Sequence, residues 1–401
     1  MRRAGEYVIE KLLTVSGAVT GLTMLTITVF LFKEGAGLFR SPSVEKGYAL
    51  YVHAENPVER LSVNEIKGIF DGEITVWNAL SSDYPHAEIV PYRIEDIFQR
   101  YSESELGEDY ALLPDKLAEV IRETSGIIAF LPQQYAPTGM TGVKTLPSQD
   151  IRPADFFGGT SWMPTATPAP LFGVLPLILG TLFVSIVAIL IALPLGLSVA
   201  IFLSELAGTR TRKWMKPAIE LLAGIPSVVY GFFGLVVLVP LVQRAFALPV
   251  GETAFTGSLI LAIMALPTII TVAEDAMRNT PRELREASLA LGAGHWQTIR
   301  KVIIPYASSG ISAAVVLGIG RAIGETMAVL MVTGNAAVMP HSLFESVRTI
   351  PATIAAELGE APAGGAHYQA LFVLGCVLFL LTLLISVSAE WMAGKQSSKI
   401  L

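Results

Sequence analysis

Six long runs of apolar residues, separated by short charged segments, leave this chain few ways to fold. Inside a bilayer every backbone N–H and C=O must find its partner within the protein, so runs of this kind cross as helices. They are Leu12–Phe32, Leu171–Ser204, Leu221–Gln243, Thr253–Ala273, a fifth from near Pro305 to about Thr333, and a last within Ala361–Ala389. Each reaches the roughly 20 residues that a helix needs to span. A chain 52% hydrophobic and only 15% charged, with a mean hydropathy of +0.57, is not a soluble globule. Leu171–Ser204 exceeds one perpendicular span, which predicts a lateral or re-entrant start before its helix. The first run is longer than the apolar part of a signal peptide. It ends Lys33-Glu34-Gly35-Ala36-Gly37 without a small-x-small site, so an uncleaved anchor is expected.

Lys and Arg set the orientation of the spans. The N-terminus carries Arg2, Arg3 and Lys11, and the second-to-third loop carries Arg210, Arg212, Lys213 and Lys216. The fourth-to-fifth loop carries Arg278, Arg282, Arg285, Arg300 and Lys301, and the tail carries Lys395 and Lys399. The alternate short loops hold only Arg244 and Arg348. Both termini are therefore expected in the cytoplasm. The single cysteine, Cys376, lies in the last run and forms no intrachain disulfide. No Cys/His cluster with metal-ligand spacing and no Gly-x-x-x-x-Gly-Lys-Ser/Thr phosphate loop is present, so any energy source is expected on a partner.

The fourth-to-fifth loop contains Glu286-Ala287-Ser288-Leu289-Ala290-Leu291-Gly292, followed by Val302-Ile303-Ile304-Pro305. Thr280-Pro281-Arg282-Glu283 predicts a capping box with proline at the first helical position, and Gly292 and Gly294 predict the stop. Leu284, Ala287, Ser288 and Leu291 fall on one helical stripe that another protein can cover. The alternative is an amphipathic connector packed under the bundle. The pattern resembles the EAA loop of ATP-binding-cassette importer permeases, with Ser288 in place of the second alanine. That resemblance implies a coupling helix seated in an ATPase subunit, with Glu286, Ala287, Ser288, Gly292 and Pro305 as the coupling residues.

Further segments carry the likeness over nearly all of residues 155–390. They are Phe156-Phe157-Gly158-Gly159-Thr160-Ser161-Trp162, Phe172 to Thr181, Glu220 to Gly234 (with Gly224-Ile225-Pro226-Ser227) and Gly320-Arg321-Ala322-Ile323-Gly324-Glu325-Thr326. Together they resemble the C-type permease subunit of phosphate importers. The residues themselves agree with a path for an anion. Arg321 and Glu325 are the ionisable residues of the fifth run, and each is costly in lipid unless it faces the bundle interior or a wet cavity. Spaced four apart, they are expected on one helix face, with Gly320 and Gly324 allowing close helix approach. Arg321 offers a planar fork to two oxyanion oxygens. Glu325 can accept a hydrogen bond from a protonated oxyanion, which favours phosphate over sulfate. The alternative is an internal Arg–Glu ion pair. Gly224-Ile225-Pro226 is expected to loosen the third span, either beside the path or as a packing kink. Ser227 and Tyr230 are path candidates by the resemblance alone.

Residues 33–170 hold 11 Lys and Arg against 20 Asp and Glu, a net of −9, and read as an external α/β domain. Leu61 to Asn78, Glu88 to Arg93 and Ser125 to Phe130 resemble one lobe of periplasmic phosphate-binding proteins. In those proteins a Ser-Gly-Thr cradle follows the arginine, whereas here Arg93 is followed by Ile94-Glu95-Asp96. Carboxylates repel an anion. The domain is expected to have no ligand site of its own, and either to dock or regulate a binding protein or to act as a passive cap.

The expected fold is thus a membrane all-α bundle of six transmembrane helices of the ABC importer (MetI-like) permease type, with an α/β binding-protein-like external domain between helices 1 and 2. The expected divisions are 1–32, 33–155, 156–391 with the coupling loop at 276–305, and a tail at 392–401. The resemblance implies a bacterial inner-membrane permease working with a homologous permease, two ATPase subunits, an extracytoplasmic phosphate-binding protein, phosphate and membrane lipid. It implies no nucleic acid, no bond chemistry on this chain, and no cofactor of its own, since ATP and Mg sit on the ATPase. Permeation of sulfate, molybdate or phosphonate, or a membrane sensor of binding-protein occupancy, are the competing readings.

Overall fold

A computed structural model describes residues 2–81, 88–136, 139 and 141–397; Lys399 of the expected tail lies outside them. The chain divides into two compact units, one of Met1–Phe32, Leu175–Ala361 and Leu371–Leu401, the other of Lys33–Val174 and Pro362–Ala370. The first element is helix α1, Arg2–Ala36, longer than the first apolar run. The hydroxyls of Thr14, Thr20, Thr23, Thr26 and Thr28 each donate to the carbonyl four residues back, at 2.8–2.9 Å, and so hide their polarity inside the helix.

The second unit opens with strand β1 (Tyr48–His53) and α2 (Val63–Phe70), then β2 (Val90–Arg93) and the helices α3 (Ile94–Arg100), α4 (Glu103–Leu106) and α5 (Leu113–Glu123). Strands β3 (Ile127–Pro132) and β4 (Val143–Leu146), helix α6 (Pro153–Gly158) and a small ribbon of β5 (Trp162–Met163) and β6 (Leu171–Phe172) complete it. The sheet order is β2-β3-β1-β4, with β2 parallel to β3 and the other pairings antiparallel. Side chains alternate across a strand, so Leu50, Val52, Ile128 and Phe130 face α2 and Trp77. Tyr51, Ile127, Ala129 and Leu131 face α3 and α5 on the other side. Covering both faces is why β3 is apolar without interruption.

Local signals in this unit are sharp. Ser62 and Glu65 form a reciprocal capping box at the start of α2, with Ser62 N–H donating to Glu65 at 2.7 Å. Trp77 is fully buried, and its indole N–H donates to the Gly126 carbonyl at 2.9 Å. A Cβ on Gly126 would collide with the Glu88 backbone carbonyl, an atom that cannot swing aside. Gly126→Ala is expected to lower the stability of this unit by about 1–3 kcal/mol. Thermal unfolding followed by Trp fluorescence checks this, and an unchanged transition argues against the tight approach.

Leu171 and Phe172 are the β6 strand of this unit, so the second apolar run has no lateral start. Backbone pairing with β5 consumes them, and α7 then runs unbroken from Leu175 to Ile201 and on through a π-helical turn to Leu206. Next come α8 (Thr209–Ala223), α9 (Ser227–Phe233), α10 (Val239–Ala245) and α11 (Ala254–Arg278), then α12 (Arg282–Ala290), α13 (His295–Thr298) and α14 (Ile304–Tyr306). The chain ends in α15 (Ser308–Gly324), α16 (Met327–Val332), α17 (Ile350–Glu357) and α18 (Ala366–Ser397).

Among the described residues five helices are long and apolar enough to cross a membrane: Glu10–Arg40, Leu175–Leu206, Ser227–Ala245, Ala254–Arg278 and Ala366–Ser388. His295–Tyr306 and Ser308–Gly324, joined at a 70° bend, make a sixth if taken together. Two expected spans are corrected. The third begins at Ser227 rather than Leu221, because Gly224-Ile225-Pro226 separates α8 from α9 outright. The fifth does not run straight to Thr333, because α15 ends at Gly324 and a new helix starts at Met327. At the centre, α11 packs between α7 and α15. A Cβ on Gly196 or Gly318 would lie 2.8 or 2.9 Å from Ile269, so glycines on both neighbours let α11 approach closely. Phe30 meets Phe372 edge-on at 5.6 Å, and Leu31 fills the space beside Gly375, which seats α1 on α18.

Candidate functional site

The segment expected to couple to an ATPase is built as a capped, solvent-facing helix. Its start differs from the expected capping box. Pro281 itself occupies the cap position, and the Thr280 hydroxyl is turned inward and buried without a partner. Proline at the cap donates no N–H, and its extended ψ of 140° aims the chain into the helix instead. The stop is as expected. Gly292 takes φ +81°, its N–H donates to Leu289, and the Ala293 N–H donates to Ser288. This pair of bonds is the Schellman arrangement, and the left-handed residue in it favours glycine. Gly294 then caps α13, where the Gln297 side chain accepts from its N–H at 3.0 Å.

Leu284, Glu286 and Ala287 are exposed on α12, and Leu291, just past its end, is 89% exposed. Ser288 departs from the expected stripe: its hydroxyl meets that of Thr298 at 2.9 Å and ties α12 to α13. Pro305 lies in α14, just ahead of the 70° bend. The inward face of α12 belongs to Arg285, whose guanidinium pairs with Glu205 at 2.5 Å and donates to the Met277 carbonyl at 2.7 Å. Glu205 is buried at the end of the α7 segment. A second buried carboxylate, Glu274 near the end of α11, receives Arg212 and, at 2.9 Å, Lys216 from α8, with Arg278 at 4.0 Å. Lys216 also meets Asp275 at 2.8 Å. Burial works to lower the Lys216 ammonium, but hydrogen bonds to Asp275 and Glu274 prevail and hold its pKa above the ordinary value. Sequence reasoning missed Glu205 and Glu274. The available signal was an acid at the charged end of an apolar run, opposite loops rich in Lys and Arg.

The residues expected to line a path sit at two helix breaks. Ser227 opens α9, half-buried, and Tyr230 is buried with its hydroxyl donating to the Leu222 carbonyl at 2.8 Å, so it braces α9 against the last turn of α8. Arg321 is half-buried near the end of α15 and donates to the Thr268 hydroxyl at 3.4 Å. Glu325 lies past the end of α15 in extended conformation, φ −71° and ψ 130°. The expected shared helix face is therefore absent, and among the described residues no ion pair joins Arg321 to Glu325. Gly320 and Gly324 meet nothing within 4 Å in this chain, so they do not serve a close helix approach here. The close approach lies elsewhere: a Cβ on Gly231 would meet the Met331 sulfur at 2.8 Å and the Ala328 Cα at 3.0 Å, so the two helices that follow the breaks, α9 and α16, pack together.

A family profile described as "Binding-protein-dependent transport system inner membrane component" matches residues 192–398. A probable ABC transporter permease protein YqgH of Bacillus subtilis is 41% identical over 276 residues, covering 68% of this chain and 89% of that one. A phosphate transport system permease protein PstC of Mesorhizobium japonicum is 42% identical over 256 residues, 59% of this chain and 77% of its own. The PstC of Haemophilus influenzae is 38% identical over 263 residues, 60% and 82%. The profile spans α12 and both breaks, and the chain belongs to the family of inner-membrane components of binding-protein-dependent transport systems.

Proposed function

We propose that this chain is the permease subunit of an ATP-driven phosphate importer, forming half of the translocation path. The observation that carries the reading is Arg321, a cation near the end of α15 just before the second break, bonded to a hydroxyl and, among the described residues, paired with no carboxylate. A charge in such a place is expensive unless something neutralises it. A transiting oxyanion supplies that charge, and the guanidinium fork fits two of its oxygens. Glu325, displaced beyond the break, accepts from a protonated oxygen and favours phosphate over sulfate. Relatives named as phosphate permeases support the substrate.

In this reading α12 seats in a groove of a cytoplasmic ATPase, a homologous permease supplies the other half of the path, and an external binding protein delivers phosphate. Both termini are cytoplasmic and the chain itself makes no bonds. The test is uptake of labelled phosphate into vesicles carrying the complete importer. Uptake resists a large excess of sulfate or molybdate if the reading holds, and equal competition by sulfate sinks the phosphate assignment.

The segment 33–155 is proposed as an external lobe without a ligand site, which docks or regulates the binding protein. At the start of α3 the Arg93 N–H, an anion's natural partner, already donates to Asp96 at 2.7 Å. The Arg93 guanidinium is spent on Thr167 at 3.3 Å and lies over the Phe70 ring. Arg93→Ala is expected to leave the phosphate concentration for half-maximal uptake within about twofold, since an exposed contact of this kind is worth under about 1 kcal/mol. A tenfold or larger rise, measured in the same vesicles, would restore a ligand site to this lobe.

A further inference from the structure

A line of contacts runs from the coupling helix to the first path break. Arg285 on α12 binds the Met277 carbonyl on α11 and Glu205 at the end of α7. One turn before Met277, Glu274 is 1% exposed and takes Arg212 and Lys216 from α8. The last turn of α8 then offers the Leu222 carbonyl to Tyr230 on α9. Helix α8 buries no side chain of its own, so apolar packing gives it little purchase on α11. Its hold there rests on the charges at Glu274 and Asp275.

We propose that Glu274 is a positioning residue for transport, a latch that keeps α8 fixed to α11 so that movement of the coupling helix is delivered to α9 across the Gly224–Pro226 break. The proposal rests on the coupling role of α12. The physical reason is the low local dielectric around a buried carboxylate, where paired charges hold far more firmly than on a surface. Neutralising Glu274 frees the part-exposed Arg212 to turn to water and leaves Lys216 held to α11 only through the exposed Asp275. Helix α8 then slips instead of following α11, and ATP hydrolysis proceeds without moving the path.

The complete importer is purified with Glu274→Gln, Glu274→Asp and Arg212→Gln, and phosphate moved per ATP hydrolysed is measured with co-purification of the ATPase and thermal stability. Glu274→Gln is expected to keep the ATPase bound and hydrolysing while the transport ratio falls about tenfold; Glu274→Asp recovers most of the ratio. If Glu274→Gln fails to assemble, Arg212→Gln carries the same reading through a several-fold loss of ratio, because Lys216 still satisfies the carboxylate. A wild-type ratio in the assembled variants, with or without lower stability, overturns the latch and leaves Glu274 a fold-stabilising group only. Gly292→Trp separates the two readings. Normal transport by that variant removes the coupling role itself, whereas an uncoupled Gly292→Trp beside a fully coupled Glu274→Gln removes only the latch.

Discussion

Arg321→Gln reduces phosphate uptake by about a hundredfold or more, while insertion, assembly and basal ATP hydrolysis persist. The size follows from a charge-assisted, bidentate contact worth roughly 3 kcal/mol. Stability is expected to move little. An Arg–Glu pair would leave a stranded carboxylate when one partner is removed, at about 3–5 kcal/mol, but Glu325 is not paired with Arg321. The donor that Thr268 loses is a weak one at 3.4 Å. Glu325→Gln has a different expected result: an amide donates to a fully deprotonated oxyanion as well as accepting from a protonated one, so sulfate begins to compete. Vesicle uptake beside thermal unfolding of the purified assembly measures both. A double Gln variant that is stable and takes up phosphate at near the normal rate would remove Arg321 from the path.

Gly292→Trp uncouples the importer, with uptake down by about tenfold or more and hydrolysis no longer stimulated by transport. Within this chain the new side chain has room, since nothing lies within 4 Å of a Cβ at Gly292. The left-handed backbone costs the substitution only about 1–2 kcal/mol at the end of an exposed helix, so the subunit still inserts. In the proposed docking the indole meets the partner surface that would cover Leu291 and Ala287. A bulky replacement at Glu286, also exposed, is expected to act in the same direction. Transport per ATP is the readout, and a variant that assembles and transports at the wild-type rate refutes the docking assignment.

Much of this was legible in residue order because it depends on local chemistry. Apolar runs long enough to cross a bilayer needed no tertiary knowledge, and Gly292 announced a helix end because glycine tolerates the left-handed turn that a Schellman cap requires. The break at Gly224-Ile225-Pro226 was foreshadowed by proline and glycine side by side, though not its completeness. The Gly324–Thr326 break was hidden, since Ala322-Ile323-Gly324-Glu325-Thr326-Met327 carries no proline and reads as a continuing helix. Thr280 illustrates the opposite error, in which a good capping pattern lost to Pro281 one residue later.

Sequence by itself determined the membrane class of the chain, the place of helix α12 and its end, and Arg321 as a charge within the fifth span, because span length, glycine conformation and the cost of charge in lipid act residue by residue. Tertiary structure alone decided that Arg321 and Glu325 are parted by a helix break, that Leu171 and Phe172 pair as a strand, and that Glu205 and Glu274 meet cations from α12 and α8. Each of these depends on groups far apart in the chain being brought within bonding distance. Helical spacing is blind to such meetings, and a buried carboxylate is only tolerable where the fold delivers its counter-charge.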